Sequence, residues 1–381
     1  MRLQQVRGAA RPSTVLGLLQ RGRGAGWVQV ARGAAEPDVL LEAIRTDMRW
    51  DAQVESREDY FATLALHVKL PAAAVAEAAG HSDDEDYARE MLAAMAKRGS
   101  ADAEAELAKL PPDDDGVLDP WVPPEQPPAD APIDVVVSSA RPPYPTAILE
   151  RLRLTQIDRE VANIRQAALD PSDTQQWRLA LRVLRDRRDP VLVPQLEHWL
   201  TSDNPTLRIG ARWYAEALPA AAALPLARAW LAFDDDRGRM SKRVMRFQAE
   251  PADMPLIRAA LEVEANYYAA GDLVAALARH PGQGPYPELE RVYVTAAYSH
   301  TRGEAAAAMA ATDPGFGSRY AVECLWDCEP DARIAGIRHT PLTGAWRRRI
   351  QELAEDKHEE PSVRDAARER LAPTLGEDIT P

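Results

Sequence analysis

The sequence predicts an all-α protein, an α-solenoid of stacked helix pairs. Three observations lead there. The chain has 381 residues, too many for one ordinary globular core, so it must divide into domains or grow by repetition. Hydrophobic residues make up 46% but aromatic ones only 6%; alanine, leucine and arginine dominate instead, and these lose little freedom on entering a helix. Proline and capping residues recur at a two-helix period through the C-terminal half, and no sustained alternation argues for sheet.

The period is explicit. First helices are expected to open near Pro190, Ala222, Ala252, Pro285, Phe316 and Thr343. Each is followed by a turn and a second helix, opening near Pro205, Arg237, Asn266, Thr301, Pro330 and Pro361. Steps of 27 to 33 residues between first helices suit a repeat of two helices. One such pair cannot bury its apolar face alone, whereas stacked neighbours close a continuous core. The upstream region is less regular. Helices are expected at Asp38–Thr46 and Arg57–Val68, joined through Met48, Arg49, Trp50 and Asp51. A further pair, Asp83–Lys97 and Asp102–Leu110, turns at Gly99 and Ser100.

Between the two regions lie ten prolines from Pro111 to Tyr144 and seven acids from Asp113 to Asp134, with no base before Arg141. Proline removes a donor and clashes with the preceding turn, so an extended acidic linker is expected, with a strand-like piece at Ile133–Val137. The expected organisation is a basic N-terminal segment at 1–34, a helical region at 35–110, the linker at 111–145 and the solenoid at 146–381.

Two second helices carry a sharper motif. Asp203-Asn204-Pro205-Thr206-Leu207-Arg208 continues to Ala211 and Leu218, and Glu360-Pro361-Ser362-Val363-Arg364 continues to Ala366, Ala367 and Leu371. An acid caps the turn, proline fits a first helical turn that needs no donor, Leu207 and Val363 face the core, and alanines let helices approach. Both stretches resemble the second helix of a HEAT repeat, including the short bacterial form also seen in phycobilin lyases. Glu329-Pro330-Asp331-Ala332-Arg333 is a weaker third copy. The resemblance spans about 154–372. It implies a solenoid in which Arg208 and Arg364 tie one repeat to the next, and it implies a fold rather than an activity.

Charge narrows the partners. Net charge is −13, yet residues 1–35 hold six arginines (Arg2, Arg7, Arg11, Arg21, Arg23, Arg32) and no acid. The rest then carries 40 bases against 59 acids, a balance that repels phosphate backbones unless base gathers on one face. The basic start reads as a frayed tail, with an organelle transit peptide as the other reading. No apolar run is long enough to span a membrane. Two cysteines, Cys324 and Cys328, are too few for a disulfide framework or a structural zinc site, which suits a reducing compartment and a cytoplasmic protein.

No catalytic grouping stands out. The histidines His67, His81, His198, His280, His300, His339 and His358 are scattered. Ser138 and Ser139 lack the glycines of a nucleophile elbow. Arg21-Gly22-Arg23-Gly24-Ala25-Gly26 is glycine-rich, without the Lys-Ser/Thr of a phosphate loop. Asp234, Asp235 and Asp236 read as helix capping rather than a cation site. No catalytic residue, cofactor or metal ligand is therefore assigned.

The candidate site is a basic stripe. Arg178, Arg182, Arg185, Arg208, Arg212, Lys242, Arg243 and Arg246 fall on three successive second helices, which line the concave face of a solenoid. The alternative is pairing with neighbouring acids such as Asp186 and Glu216. The acidic linker could also lie over such a face. The expected function is a non-enzymatic scaffold or adaptor for a protein partner. The second expectation is a nucleic-acid-binding protein of the alkylpurine glycosylase type, with Trp177, Arg212, Trp213 and Asp236 in the active roles, although the acidity weighs against nucleic acid. The repeat type alone suggests a third, a chromophore lyase.

Overall fold

The computed structural model describes residues 10–47, 57–81, 86–111, 126–128, 131–140 and 142–372. The Met48–Asp51 connection, the acidic stretch 112–125 and the question of whether it docks lie outside the described residues, as do Arg2 and Arg7. Among the described residues there are α-helices and short 3-10 turns and no strand. No described helix is long and apolar enough to cross a membrane.

The chain forms two compact units, one from residues 1–113 with 261–381 and the other from 114–260. This grouping differs from the four expected segments, because the described N-terminal residues, from Ala10 on, group with the C-terminal third.

The first unit begins with α1 (Val15–Leu19), α2 (Gly24–Ala31), α3 (Pro37–Arg45), α4 (Glu58–His67), α5 (Ala72–Ala79), α6 (Tyr87–Lys97) and α7 (Ala101–Leu107). Thr14 caps α1 by accepting from Gly17 N, and Ser100 caps α7 by accepting from Ala103 N. Helix α5 was not expected; its run of alanines shows no amphipathic contrast to the eye, yet Ala72, Val75, Ala78 and Ala79 are buried against α6 and α7.

The second unit holds α8 (Ile133–Ser139), α9 (Thr146–Leu154), α10 (Asp158–Leu169), α11 (Thr174–Arg187), α12 (Leu196–Leu200), α13 (Pro205–Ala215), α14 (Ala220–Trp230) and α15 (Asp236–Gln248). Helix α16 (Met254–Val263) runs across the position where the units divide. The expected strand at Ile133–Val137 is α8 instead. Ile133, Val136, Val137 and Ala140 are buried, a spacing of three, four and seven that only a helix places on one side. Packing of α8 on α10 and α11 outweighs the strand preference of its valines.

The first unit resumes with α17 (Tyr267–Ala278), α18 (Pro287–Thr295), α19 (Ser299–Thr312), α20 (Phe316–Arg319), α21 (Ala321–Cys324), α22 (Pro330–His339), α23 (Gly344–Glu355) and α24 (Pro361–Leu371). The second helices open within a few residues of every expected start. In the 114–260 unit α11 packs on α13 and α13 on α15; in the other unit α17 packs on α19, α19 on α22 and α22 on α24. Of these, α13 also packs on α12, α15 on α14, α19 on α18 and α24 on α23, in each case the helix before it.

Details of the motif shift by one residue. Asn204, not Asp203, caps α13, accepting from Thr206 N at 2.9 Å. Leu207 is only half-buried, and the buried side of α13 is carried by Ala211, Tyr214 and Ala215. Val363 and Ala367 are buried in α24 as expected. Asp235 caps α15, accepting from Arg237 N at 2.8 Å.

Glycine explains how the N-terminal segment enters its unit. A Cβ on Gly24 would lie 1.8 Å from the Glu323 carbonyl oxygen, and one on Gly22, at φ +65°, would lie 2.3 Å from Cys328 Sγ. Cys328 N donates to the Gly22 carbonyl at 2.9 Å. Arg23 pairs with Glu323 at 2.5 Å, and Arg57 donates to the Ala297 carbonyl at 2.7 Å. Beneath them Arg302 and Asp327 pair at 2.8 Å with both side chains fully buried. The glycine-rich run thus serves close backbone approach.

Candidate functional site

A cleft in the 114–260 unit lies between α11 and α13 and has a volume of about 350 Å³. Two facing rows build it. Arg178 and Arg182 stand one turn apart on α11, and Ile209 and Trp213 stand one turn apart on α13, since residues four apart share a helix face. Trp177 and Leu181 form the floor, with Tyr144 at the edge. Gly210 permits the approach: a Cβ there would sit 2.3 Å from Trp177 Cη2.

Asp173 starts α11 in register by accepting from Gln175 N and Gln176 N, both at 3.1 Å. Trp177 is 1% exposed and meets Trp199 edge to face at 5.7 Å. Its indole N–H has no acceptor among the described residues. On the other side of the cleft, Arg185 lies 4.1 Å from the Trp213 ring centre, which holds the indole upright by cation–π attraction. Tyr214, behind α13, donates to the Asp189 carbonyl and accepts from Leu192 N. Burial pushes its phenol up to about 12.

The expected basic stripe is divided among four settings. Arg178 and Arg182 are exposed on the cleft rim and make no ion pair with a described residue. Arg208 and Arg212 both donate to Asp236, at 2.8 and 3.0 Å. Their pairing links α13 to the next second helix, the role that the repeat resemblance implied for Arg208. Lys242 is buried rather than presented. Arg243 faces Glu216 at 3.9 Å and, with Arg246, flanks the Phe247 ring. Trp177 is buried and Asp236 is already held by two guanidinium groups, so the proposed glycosylase roles are not assembled as an open site.

Sequence reasoning missed Ile209. It is 59% exposed although it is large and aliphatic. Its position was the available signal: it falls outside the spacing of Ala211, Tyr214, Ala215 and Leu218, which bury the helix. The cleft lining supplies apolar surface, the Tyr144 and Thr206 hydroxyls and two guanidinium forks, and includes no carboxylate or imidazole among the described residues. That donor set can seat an apolar group and clamp carboxylates beside it.

The other unit has a polar cleft of about 250 Å³ near Tyr60, Arg98, Trp326 and Arg333. Its charges are largely matched internally: Arg98 pairs with Asp356 at 2.9 Å and Arg333 with Glu359 at 2.7 Å. Both cysteines are buried nearby; burial pushes the Cys328 thiol up to about 12 and the Cys324 thiol in the same direction. Thiols held protonated in this way are poor nucleophiles and poor metal ligands. No protein-family model, curated protein or solved structure matches the chain.

Proposed function

We propose that the chain is a non-enzymatic interaction protein, a cytoplasmic adaptor built as a solenoid of HEAT-like helix pairs. The α11–α13 cleft takes an acidic segment of a protein partner that carries a large apolar side chain. One observation carries this reading: Ile209 stands 59% exposed in a cleft it shares with Trp213 and with Arg178 and Arg182 of the facing helix. Leaving an isoleucine in water forfeits roughly 1.5–3 kcal/mol relative to burying it, and a partner that covers it recovers that energy. The two arginines select carboxylates beside the anchor, and aromatic and arginine side chains are the usual centres of binding energy at protein interfaces. Successive packing of second helices within each unit and the Arg208–Asp236 tie support the repeat architecture.

The test places a photo-crosslinking amino acid at position 209 and, separately, at Leu256, an exposed apolar residue outside the cleft. Irradiation in native host extract is expected to join position 209 to a discrete protein through an acidic peptide. Arg178→Glu with Arg182→Glu should abolish that adduct. Equal adducts from position 256, adducts that survive the charge reversal, or adducts to nucleic acid overturn the reading.

A further inference from the structure

A second group of side chains lies in the other unit, where α19 meets α22. His300 and Glu304 are four residues apart at the start of α19, so they share a face. Glu329 is the residue before α22, and Asp331 is in its first turn. Direct packing of α19 on α22 brings His300, Glu329 and Asp331 together. One ligand atom from each of His300, Glu329 and Asp331 lies within 4.8 Å of the others. The imidazole stands between two carboxylates, with Nε2 3.8 Å from Glu304 Oε1 and Nδ1 3.7 Å from Glu329 Oε1.

We propose that His300, Glu329 and Asp331 form a binding site for one first-row divalent metal ion, on the Nδ1 side of the imidazole. Three features carry this. The donor set mixes imidazole nitrogen with carboxylate oxygen, which suits zinc and its neighbours better than the all-oxygen cages of calcium or magnesium. The geometry is close to ligation. Two metal–ligand bonds of about 2.1 Å meeting at the tetrahedral angle set donor atoms about 3.4 Å apart, so side chains whose donor atoms lie within 4.8 Å of one another need to draw in by about 1.4 Å at most.

The third feature is the space made for the carboxylates. A Cβ on Gly303 would fall 2.4 Å from Glu329 Cγ and 3.2 Å from Asp331 Cβ; one on Gly271, in α17, would fall 2.4 Å from Glu304 Oε2. Two glycines on two helices thus leave room for Glu329 and Asp331 on the Nδ1 side of the imidazole and for Glu304 on the Nε2 side. Helix-dipole compensation accounts for acids in the first turn of α22. It does not account for Glu304, which lies beyond the first turn of α19, or for His300.

The experiment is a calorimetric titration of the full chain with zinc chloride, and with calcium chloride in parallel. One zinc ion per chain is expected in the tightest step, with calcium much weaker. His300→Ala and Asp331→Asn should each weaken that step at least about tenfold. Asp365→Asn, on the exposed Arg368 pair, should leave it unchanged. His300 and Asp331 are exposed, so both variants should keep the wild-type helical spectrum. Independently, zinc should shift the ring-nitrogen resonances of His300 alone among the seven histidines. Unchanged affinity in both variants, calcium binding as tight as zinc, or a shift at another histidine overturns the proposal.

Discussion

The two units use arginine in opposite ways. In the unit formed by 1–113 and 261–381, Arg23, Arg57 and Arg302 are buried and tie backbone or carboxylates together. In the 114–260 unit, Arg178 and Arg182 are exposed at a cleft rim, and Arg208 and Arg212 are about two-thirds withdrawn from solvent beside Asp236. Desolvating a charge is costly unless it is paired and hydrogen-bonded, so the buried set must be satisfied wherever possible. The rim set keeps its hydration and remains available to a partner. The same residue type is therefore buried and paired in one unit and left exposed on a cleft rim, at Arg178 and Arg182, in the other.

The comparison can be broken by mutation, and the largest effect belongs to the buried pair. Asp327→Ala leaves Arg302 charged in a fully buried setting and should cost about 3–5 kcal/mol, read as a lower denaturant midpoint. A loss below about 1 kcal/mol would mean that the buried arginines are no more structural than the rim ones. Gly24→Val comes next. The new side chain meets the Glu323 backbone, which cannot rotate away, and overpacking of this kind costs about 1–3 kcal/mol. Its melting temperature should fall. Gly33→Val is the companion variant: a Cβ there would meet no atom within 4 Å, but φ is +71°, so it tests backbone strain alone.

Alkaline pH sharpens the picture for the 114–260 unit. Tyr214 holds its proton to about 12, above its ordinary 10.0. The folded chain then binds more protons than the unfolded chain between those values. The stability this contributes is fully present below pH 10 and is lost as pH rises through about 12. Tyr214→Phe should flatten that part of the stability–pH curve; an unchanged slope would show that other groups dominate it. A smaller effect is expected at the Arg208–Asp236 pair: Arg208→Ala should cost only about 0.2–1 kcal/mol, because the pair is partly solvated. Arg182→Glu should not lower stability measurably, and should register only in partner crosslinking at position 209.

Particular residues show where sequence reading succeeded. Prolines at the first turns of α13, α22 and α24, and caps such as Asp235 and Asn266, placed those helices correctly. Such signals are local: they satisfy orphan donors at helix starts and act within a few residues. Ile133–Val137 misled because strand propensity is a weak preference that packing overrides, and the alanine-rich α5 offered little contrast to detect. Arg178 and Arg182 were legible as exposed bases on a helix face. The apolar half of the cleft was not, because Ile209 and Trp213 acquire meaning only when α13 is laid beside α11.

The sequence by itself determined an all-helical chain, the starts of its second helices and the absence of a described span for a membrane, since periodicity, proline and capping are properties of neighbouring residues. Tertiary structure alone decided which charges are buried. Arg23 and Glu323 are 300 residues apart, and Arg302 finds Asp327 only when the helices that carry them are stacked. It also decided that the acid-free N-terminal segment belongs to the C-terminal third, because close backbone approach at Gly22 and Gly24 depends on surfaces that no local window contains.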